Sequence, residues 1–351
     1  MQNAQLAPYI GGGKNMKKYF FLAGACIILS SCSTPESVSA RIFGGSSQTL
    51  IFESCRAVSE DEFEFVFSSP VTVKSVSFYP YLQIAFIENG SSVRITLEES
   101  PQPGTMITVD LLAEDEKKNT INVLASLRSR NNRMPNLLIN EVCTEYSNAA
   151  AGRKAEFIEL KMKSDGNLGA MRLVINGNTN AAMQTIYEFA PVEVKEGDYV
   201  VLHLRAYDPA SRDELGSDLS ESGGMNSSPT ARDFWVPGTA KLIHKTSFIY
   251  LIDQDDNVIN ALVISEKPDS WWDKEYFAQT ANLLFARNAW QTAGENVCRP
   301  ADAVISAGTT NTRTICRDET IDNTNSAADW YIAATSSATP GSPNNPKRYE
   351  P

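Results

Sequence analysis

Short runs in which apolar and polar residues alternate recur along most of the chain. In FEFVF (63–67) the three phenylalanines fall on one face, and in SVRITLEES (92–100) the aliphatic residues do the same. TMITVDLLA (105–113) and TINVLA (120–125) alternate as well, and the polar run EDEKKN joins them as a turn. Because period-two apolarity with a turn about every ten residues is typical of a β-sandwich, we predict an all-β fold.

The chain divides into two predicted modules of this kind. Residues 41–130 have the length of one immunoglobulin-like or fibronectin-like module. RSRNNRMP (128–135) is polar and basic and has no apolar pattern, so we place the module boundary there. From 135 to 346 short apolar runs resume, and we expect a second immunoglobulin-like sandwich.

One stretch of the second module has the period of a helix instead. Phe277, Ala281, Leu284 and Phe285 lie at positions i, i+4, i+7 and i+8 of DKEYFAQTANLLFARNAW (273–290). This spacing places all four on one face of an amphipathic helix, and Asp273 is suited to its N-cap. We therefore expect one short helix inserted into an otherwise all-β module.

The amino-terminal segment has a third pattern. Lys17 and Lys18 precede a run of eleven mostly apolar residues, Tyr19–Leu29. The run is shorter than the roughly 20 residues that a membrane span needs. A charged start, a short apolar centre and small residues before a cleavage point are typical of a secretory signal. Since fifteen residues precede Met16, we expect translation to start at that methionine.

The signal ends in a cysteine with small residues before it. Leu29-Ser30-Ser31-Cys32 resembles the lipobox of bacterial lipoproteins. The resemblance implies that residues 1–31 are removed, that Cys32 carries diacylglycerol, and that 32–40 form a lipidated tether. Two or three acyl chains make a lasting anchor, whereas a single chain binds a membrane only marginally. In that family an aspartate after the cysteine retains lipoproteins at the inner membrane, so Ser33 implies sorting to the outer membrane.

The charge of the mature chain argues against nucleic acid as a partner. The full chain has a net charge of −11, and removing the three lysines of 1–31 leaves 28 basic against 42 acidic residues, a net −14. Such a surface should repel nucleic acid and anionic lipid headgroups. The length suffices for two hydrophobic cores, and no run after the signal is apolar enough to span a bilayer.

Four cysteines remain besides Cys26 of the signal and the lipidated one. Cys298 and Cys316 flank a polar loop, and exported proteins can form disulfides. A bridge between them would stabilise the fold by about 3 kcal/mol through loop closure, and two free thiols are the equal alternative. Cys55 and Cys143 lie in predicted strands of different modules, where we expect buried thiols.

Five pieces of the second module follow one another in a recognisable order. They are Leu137–Val142, Glu156–Leu160, Gly197–Leu202, Leu251–Ile259 and the closing TPGSPN of Thr339–Asn344. In this order they resemble the lamin tail domain, an immunoglobulin-like sandwich of nuclear lamins and of many exported bacterial proteins. The resemblance implies the fold. It does not extend to a ligand, because the family's LSGW segment is replaced by LGAMRLVI (168–175) and a long insertion spans 205–241.

The polar side chains within the apolar runs are expected to have structural rather than catalytic roles. The sequence contains no G-x-S-x-G elbow, no H-E-x-x-H and no phosphate-binding glycine loop. The only two histidines, His203 and His244, are expected to be packed or hydrogen-bonded. Glu141, Glu156 and Glu159 are expected to bond to loop backbone. We therefore predict no catalytic residue, no cofactor and no enzymatic activity.

One acidic turn is a weak candidate for a metal site. Asp253, Asp255 and Asp256 lie between two apolar runs, and three carboxylates at close spacing could begin a calcium site. However, the turn lacks the glycine and the distant glutamate of an EF-hand, and aspartate suits a hairpin turn for backbone reasons. We predict no bound metal.

Two aromatic groups are candidates for a binding surface. Phe234 and Trp235 end the insertion Arg205–Lys241, and Trp271 and Trp272 follow the predicted hairpin. Large aromatic residues on loops dominate many binding surfaces. The alternative is that they plug one end of the sandwich, since most tryptophans are largely buried.

Together these patterns predict a non-enzymatic, exported lipoprotein of the bacterial cell envelope. It would be anchored in the outer membrane by its lipid and would bind or scaffold a protein or an envelope polymer. Two alternatives are an accessory module of an envelope hydrolase, of the nuclease or phosphatase class, and a nucleic-acid-binding protein similar to lamin tails.

Overall fold

The first half of the described chain is built from one continuous β-sheet. The computed structural model describes residues 49–148, 154–176, 184–207, 209–294 and 296–351. The sheet has the order β3-β4-β2-β5-β6, and β1 also pairs with β2. Its strands are β1 (Phe52–Ala57), β2 (Glu62–Tyr79), β3 (Ile84–Glu88), β4 (Gly90–Leu97), β5 (Met106–Asp115) and β6 (Thr120–Arg128). The predicted signal, Cys32 and the tether lie outside the described residues.

The long strand β2 connects the two parts of this sheet. Its first part pairs with β1 and β4, and its second part pairs with β5. Register shifts between Val66 and Val71 and between Val73 and Ser75 interrupt the pairing, and such irregularities bend a strand. The inward side chains of both parts consequently share one core, and they include Phe63, Phe65, Phe67, Val93, Ile95, Leu97, Ile107, Val109 and Leu111. The predicted alternation is confirmed.

The second half is a sandwich of two larger sheets. One sheet has the order β14-β13-β8-β7-β18-β19 and the other β11-β10-β15-β16-β17, while β9 and β12 form a separate pair. The strands are β7 (Leu137–Cys143), β8 (Phe157–Met162), β9 (Gly166–Asn167), β10 (Arg172–Asn176), β11 (Thr185–Glu188), β12 (Glu193–Val194), β13 (Tyr199–His203), β14 (Ala231–Trp235), β15 (Ser247–Ile252), β16 (Val258–Ser265), β17 (Val304–Ile305), β18 (Ile315–Arg317) and β19 (Trp330–Ile332).

The main core of the second half lies between these two sheets. Ile158 and Leu202 reach it from the first sheet, and Leu173, Ile249 and Leu262 reach it from the second. All five side chains are fully buried. The strands of both halves and their common burial confirm the predicted all-β fold class.

The predicted helix is present and is the only α-helix of the described residues. It is α1 (Glu275–Ala286), and it buries Phe277, Ala281 and Leu284 against the sandwich as its spacing predicts. The predicted cap is wrong, because the N-cap position is Lys274 and no side chain caps the helix. Three single-turn 3₁₀-helices cover Pro300–Asp302, Ser306–Gly308 and Ala327–Asp329. None of the helices described has the length and apolar character needed to cross a bilayer.

The insertion Arg205–Lys241 returns to the sheet at its end. Its last part forms β14, which pairs with β13 in parallel register, so that Leu202 lies opposite Phe234 and His203 opposite Trp235. A parallel pair needs a long crossover between its strands. The polar residues before β14 provide this crossover, and the insertion therefore adds an edge strand to the sandwich.

The polar segment at the predicted module boundary is held firmly by the second half. The side-chain amide of Asn131, which is buried, donates hydrogen bonds to the carbonyls of Asn167 and Gly169 at 2.7 Å each. Arg130 forms two hydrogen bonds with Asp255. Gly169 lies so close to the first half that a Cβ there would come within 2.4 Å of the carbonyl oxygen of Pro103. The connection is thus a fixed contact and not a free linker.

The two cores share no residue, since the first draws on residues 50–127 and the second on 137–330. We therefore predict that a fragment from Asn136 to Pro351 folds by itself. It should run to the end of the chain, because Tyr349 N–H donates to the carbonyl of Ile332. Thermal unfolding followed by circular dichroism should show one cooperative transition. A fragment that melts without cooperativity, while residues 49–351 melt cooperatively, would show that the halves depend on each other.

Candidate binding cleft

Two of the four candidate aromatic residues belong to the interior. Phe234 is fully buried in the main core, where its ring lies 5.6 Å from that of Phe189. Trp235 points to the opposite side of β14 and stacks on His203 at 3.9 Å between ring centroids, with its Nε1 donating to Ser222. Of the two alternatives that the sequence left open, the plug therefore describes Phe234 and Trp235, and the binding face does not.

The other two aromatic residues follow strand β16 and differ from each other. Trp272 is half-buried, since its ring packs 5.2 Å from that of Phe248 and its Nε1 donates to the carbonyl of Cys298. Trp271 is 70% exposed and is the only exposed residue among the five tryptophans. The guanidinium of Arg299 lies over its ring at 4.5 Å from the centroid. One face of the indole thus contacts a cation, and most of the ring faces solvent.

Trp271 lies at a cleft of about 520 Å³, which we call the Trp271 cleft. This volume falls within the range of small-molecule sites. The walls come from the segment before β15, the end of β16, the loop after it and helix α1. Aromatic, basic and acidic side chains line the cleft, and they are Trp271, Trp272, Phe277, Lys241, His244, Lys245, Lys267, Glu266, Asp269 and Asp273.

The basic side chains of the cleft fall into two groups. Lys241 and Lys245 both pair with Glu145, at 2.7 and 3.3 Å, so their charges are engaged. Lys267 forms no ion pair with any described residue and is exposed. Burial, followed by the nearby charge of Lys241, lowers the pKa of His244 below its usual value. This imidazole is therefore neutral near pH 7 and can donate one hydrogen bond and accept another.

A second polar cluster lies on the outer face of the sheet β14-β13-β8-β7-β18-β19. Glu141 on β7 and Glu159 on β8 lie opposite each other, and both are fully buried. Glu141 accepts a hydrogen bond from the backbone N–H of Thr339 at 3.0 Å, and Glu159 accepts one from Gly341 at 2.7 Å. Both donors belong to the TPGSPN segment. The prediction that these two glutamates form hydrogen bonds with loop backbone is therefore confirmed. Glu156 does not follow this prediction.

Glu156 instead forms an ion pair with Arg205 at the start of the insertion. The guanidinium of Arg205 also lies 3.6 Å from the ring centroid of Tyr146. Both charged groups are nearly inaccessible, so each needs the other. The contact fixes the point at which the insertion leaves the sheet.

Burial has a clear electrostatic effect on Glu159. Desolvation raises the pKa of this carboxyl to about 8, and the charges of Glu141 and Glu319 add to the effect. Hydrogen bonds from Asn140 and Gly341 oppose it. Desolvation likewise raises the pKa of Glu141. The sheet thus carries two buried carboxyls whose pKa values are raised by desolvation.

The remaining predicted site residues have structural roles. His203 is fully buried, and its Nε2 lies 2.8 Å from Asp233 Oδ1, so this histidine is packed and hydrogen-bonded as predicted. Asp253 accepts hydrogen bonds from backbone groups of its own turn. Asp255 and Asp256 form ion pairs with Arg130 and Arg172. In the part of the chain that is described, no group of three or more His, Cys, Asp or Glu is placed to hold a metal ion.

Of the two alternatives for Cys298 and Cys316, the structure has the two free thiols and not the disulfide. Cys298 and Cys316, like Cys55 and Cys143, are free thiols. Cys298 belongs to the main core near helix α1, whereas Cys316 lies on β18 with its Sγ 3.6 Å from Glu141 Oε1. The polar loop between them does not bring their side chains together, because Cys298 belongs to the main core and Cys316 to a separate cluster with Tyr331 and Ala333. Burial raises the pKa of the Cys298 thiol to about 12, which makes it unreactive.

These features define an all-β protein with a surface cleft in its second half. Residues 135–332 match the family model TP_1001_2nd, which is described as "protein second domain". Because the match covers more than half of the chain, the protein belongs to this family. A relative from Treponema pallidum (strain Nichols), described as an uncharacterized protein, is 23% identical over an alignment of 342 residues, and the alignment covers 93% of this chain and 82% of the relative.

A solved structure also shows a weak similarity. The crystal structure of the N-terminal part of the bacterial S-layer protein SbsC aligns with a TM-score of 0.24 and 14% identity, over 46% of this chain and 47% of that chain. This similarity is too weak to support an inference about function.

The two kinds of tryptophan can be told apart by stability. We predict that Trp235→Ala lowers the free energy of unfolding by about 3–5 kcal/mol, because it removes a buried, stacked and hydrogen-bonded ring. Trp271→Ala is the matched control and should lower it by less than about 1 kcal/mol, since that ring is mostly in solvent. Urea unfolding followed by circular dichroism measures both. Equal losses in the two variants would contradict the assignment.

The raised pKa of Glu159 predicts a dependence of stability on pH. With a pKa of about 8 in the folded state and 4.5 as the reference value, the folded state holds a proton that the unfolded state has lost between these pH values. The stability that this proton provides is complete below pH 4.5 and falls as pH rises to 8, by at most about 1.4 kcal/mol per pH unit.

Glu159→Gln removes this titration. We predict that the variant gains stability relative to the wild type as pH rises from 5 to 8. Glu88→Gln, at an exposed position, is the control and should keep the wild-type slope. The same slope for Glu159→Gln and the wild type in urea unfolding at several pH values would contradict the prediction.

Proposed function

We propose that this protein is an exported, non-enzymatic lipoprotein of the bacterial cell envelope that binds an envelope component through the Trp271 cleft. The lipid on Cys32 would anchor it in the outer membrane, and the second sandwich would hold the binding site. The observation that carries the binding role is Trp271 itself. Its indole is 70% exposed at the edge of a cleft of about 520 Å³, whereas the other candidate aromatic residues contribute to packing.

Exposure of this indole has no explanation in the packing of the fold. A large aromatic side chain that stays in solvent contributes little to folding, but it provides a large contact area to a ligand. The contact with Arg299 holds the ring at the cleft. A ring that is already oriented loses less conformational freedom on binding, which favours affinity.

Several observations support the other parts of the proposal. The charged start, short apolar run and lipobox-like LSSC support export and lipidation. His203 is fully buried against Asp233 and cannot reach a substrate, which supports a non-enzymatic role. The net charge of −14 after removal of the signal disfavours nucleic acid. The lamin-tail resemblance belongs to the same proposal and is supported by the bonds between TPGSPN and the buried glutamates.

The anchor is tested by one substitution with a matched control. Cys32→Ala should abolish incorporation of labelled palmitate and move the protein from the membrane to the soluble fraction, because the thioether has no substitute. Cys26→Ala, within the same leader, should leave both properties unchanged. Palmitate labelling of the Cys32→Ala protein, or loss of labelling in Cys26→Ala, would refute the assignment of the lipid to Cys32.

The binding role is tested with the soluble Cys32→Ala protein and purified cell envelope of its own organism. This protein should sediment with the envelope, and adding Trp271→Ala should abolish the sedimentation. Adding Tyr81→Ala is the control, because Tyr81 is also an exposed aromatic residue, in the first half, at 83% exposure. Sedimentation that survives Trp271→Ala would exclude the cleft as the binding site.

A further inference from the structure

The Trp271 cleft combines an open indole with charged groups of both signs. Trp271 provides a flat apolar surface, and Arg299 covers one side of it at 4.5 Å. The rest of the rim is polar, with Glu266, Lys267 and Asp269 at exposed positions. A ligand that fits must therefore be flat and apolar on one side and rich in hydrogen-bonding groups around its edge.

From this geometry we propose that the ligand is a saccharide, with one pyranose ring stacked on Trp271. A pyranose has this character, since its axial C–H groups make an apolar face and its hydroxyl groups surround the edge. The proposal rests on the proposed function and names the chemical class of the ligand at the same site. Aromatic side chains make large contact areas of this kind at little entropic cost.

The charged groups of the rim suit hydroxyl groups better than ions. Glu266, Lys267 and Asp269 form no ion pair with any described residue, so their hydrogen-bonding capacity is open. A carboxylate accepts from a hydroxyl and an ammonium donates to one, and such charge-assisted bonds are stronger than neutral ones. Because a hydroxyl both donates and accepts, a saccharide satisfies both signs of charge at once.

The same rim disfavours the other ligand classes. An anionic ligand such as a nucleotide would meet Glu266, Asp269 and Asp273, while Lys241 and Lys245 are already paired with Glu145. An apolar peptide face would have to desolvate these charges without compensating them. The volume of about 520 Å³ suits a short saccharide segment, such as the end or a branch of an envelope polymer.

The test is a titration of the purified protein with defined tetrasaccharides while tryptophan fluorescence is recorded. The probes are the tetramers of N-acetylglucosamine, glucose and galacturonic acid. Trp271 should report binding, because it is the only exposed tryptophan of the chain. We expect a saturable change with at least one of the two neutral tetramers. Trp271→Ala should weaken that binding at least about tenfold, or about 1.4 kcal/mol.

Three further variants separate stacking from polar recognition. Trp271→Phe should bind with intermediate affinity, because it keeps an aromatic face of smaller area. Lys267→Met and Asp269→Asn should each weaken binding while the fluorescence of the free protein stays unchanged. Tyr81→Ala should bind as the wild type does. Thermal melts show that each variant is folded before it is titrated.

The remaining outcomes count against the proposal. No saturable change with any of the three tetramers, or binding that survives Trp271→Ala, would refute the saccharide. Binding of the galacturonic acid tetramer alone would refute the recognition of neutral hydroxyl groups by the rim. If envelope sedimentation still requires Trp271 in these cases, the proposed function stands with another ligand class. If neither sedimentation nor any titration depends on Trp271, the proposed function fails together with the saccharide.

Discussion

The second half of the molecule depends on two carboxyl groups that lie inside the protein. Glu141 and Glu159 face each other on the outer side of the six-stranded sheet, and both are fully buried. A buried carboxyl without hydrogen-bond donors would destabilise the fold by several kcal/mol. The chain supplies donors by folding its closing segment over the sheet, so that the N–H groups of Thr339 and Gly341 reach the carboxyl oxygens. The hydroxyl of Thr230 then donates to the carbonyl of Gly341, which links the insertion to the same cover.

The insertion decides which aromatic residues of this face remain available to a partner. It covers Trp235, which stacks on His203 and donates to Ser222. On the other side of the sandwich, helix α1 packs Phe277 against Phe248 and Trp272, and this contact buries the second tryptophan of the pair in part. Trp271, by contrast, contacts the guanidinium of Arg299 and stays 70% exposed beside the charged side chains of the cleft.

The strands could be predicted from the sequence because their signal is local. Alternation placed the buried faces of β2, β4 and β5, and the helical spacing of Phe277, Ala281 and Leu284 placed α1. The glutamate bonds to loop backbone were expected for Glu141 and Glu159, but not their partners. The sequence pattern does not indicate that Thr339 binds the carboxyl of Glu141, because the two residues are 198 positions apart. The alternatives at Cys298 and Cys316 and at Phe234 stayed open in the sequence for the same reason, because they depend on contacts between distant segments.

Only part of the candidate site could be predicted from the sequence. The pair Trp271 and Trp272 could be read as a binding group or as a plug, and the structure divides the two residues between these roles. The polar run Ser265–Ser270 before them was the signal that the chain had left the sheet, and it could have favoured exposure of Trp271.

Lys241 and His244, on the other hand, lie in the segment before β15, and only the fold brings them to the cleft. The floor of the cleft, Trp272 and Phe277, belongs to the main core, whereas its rim lies on loops. Substitutions in the floor should therefore change stability and binding together, while substitutions in the rim change binding alone. This division makes Trp271 a site where affinity can be altered without loss of the fold.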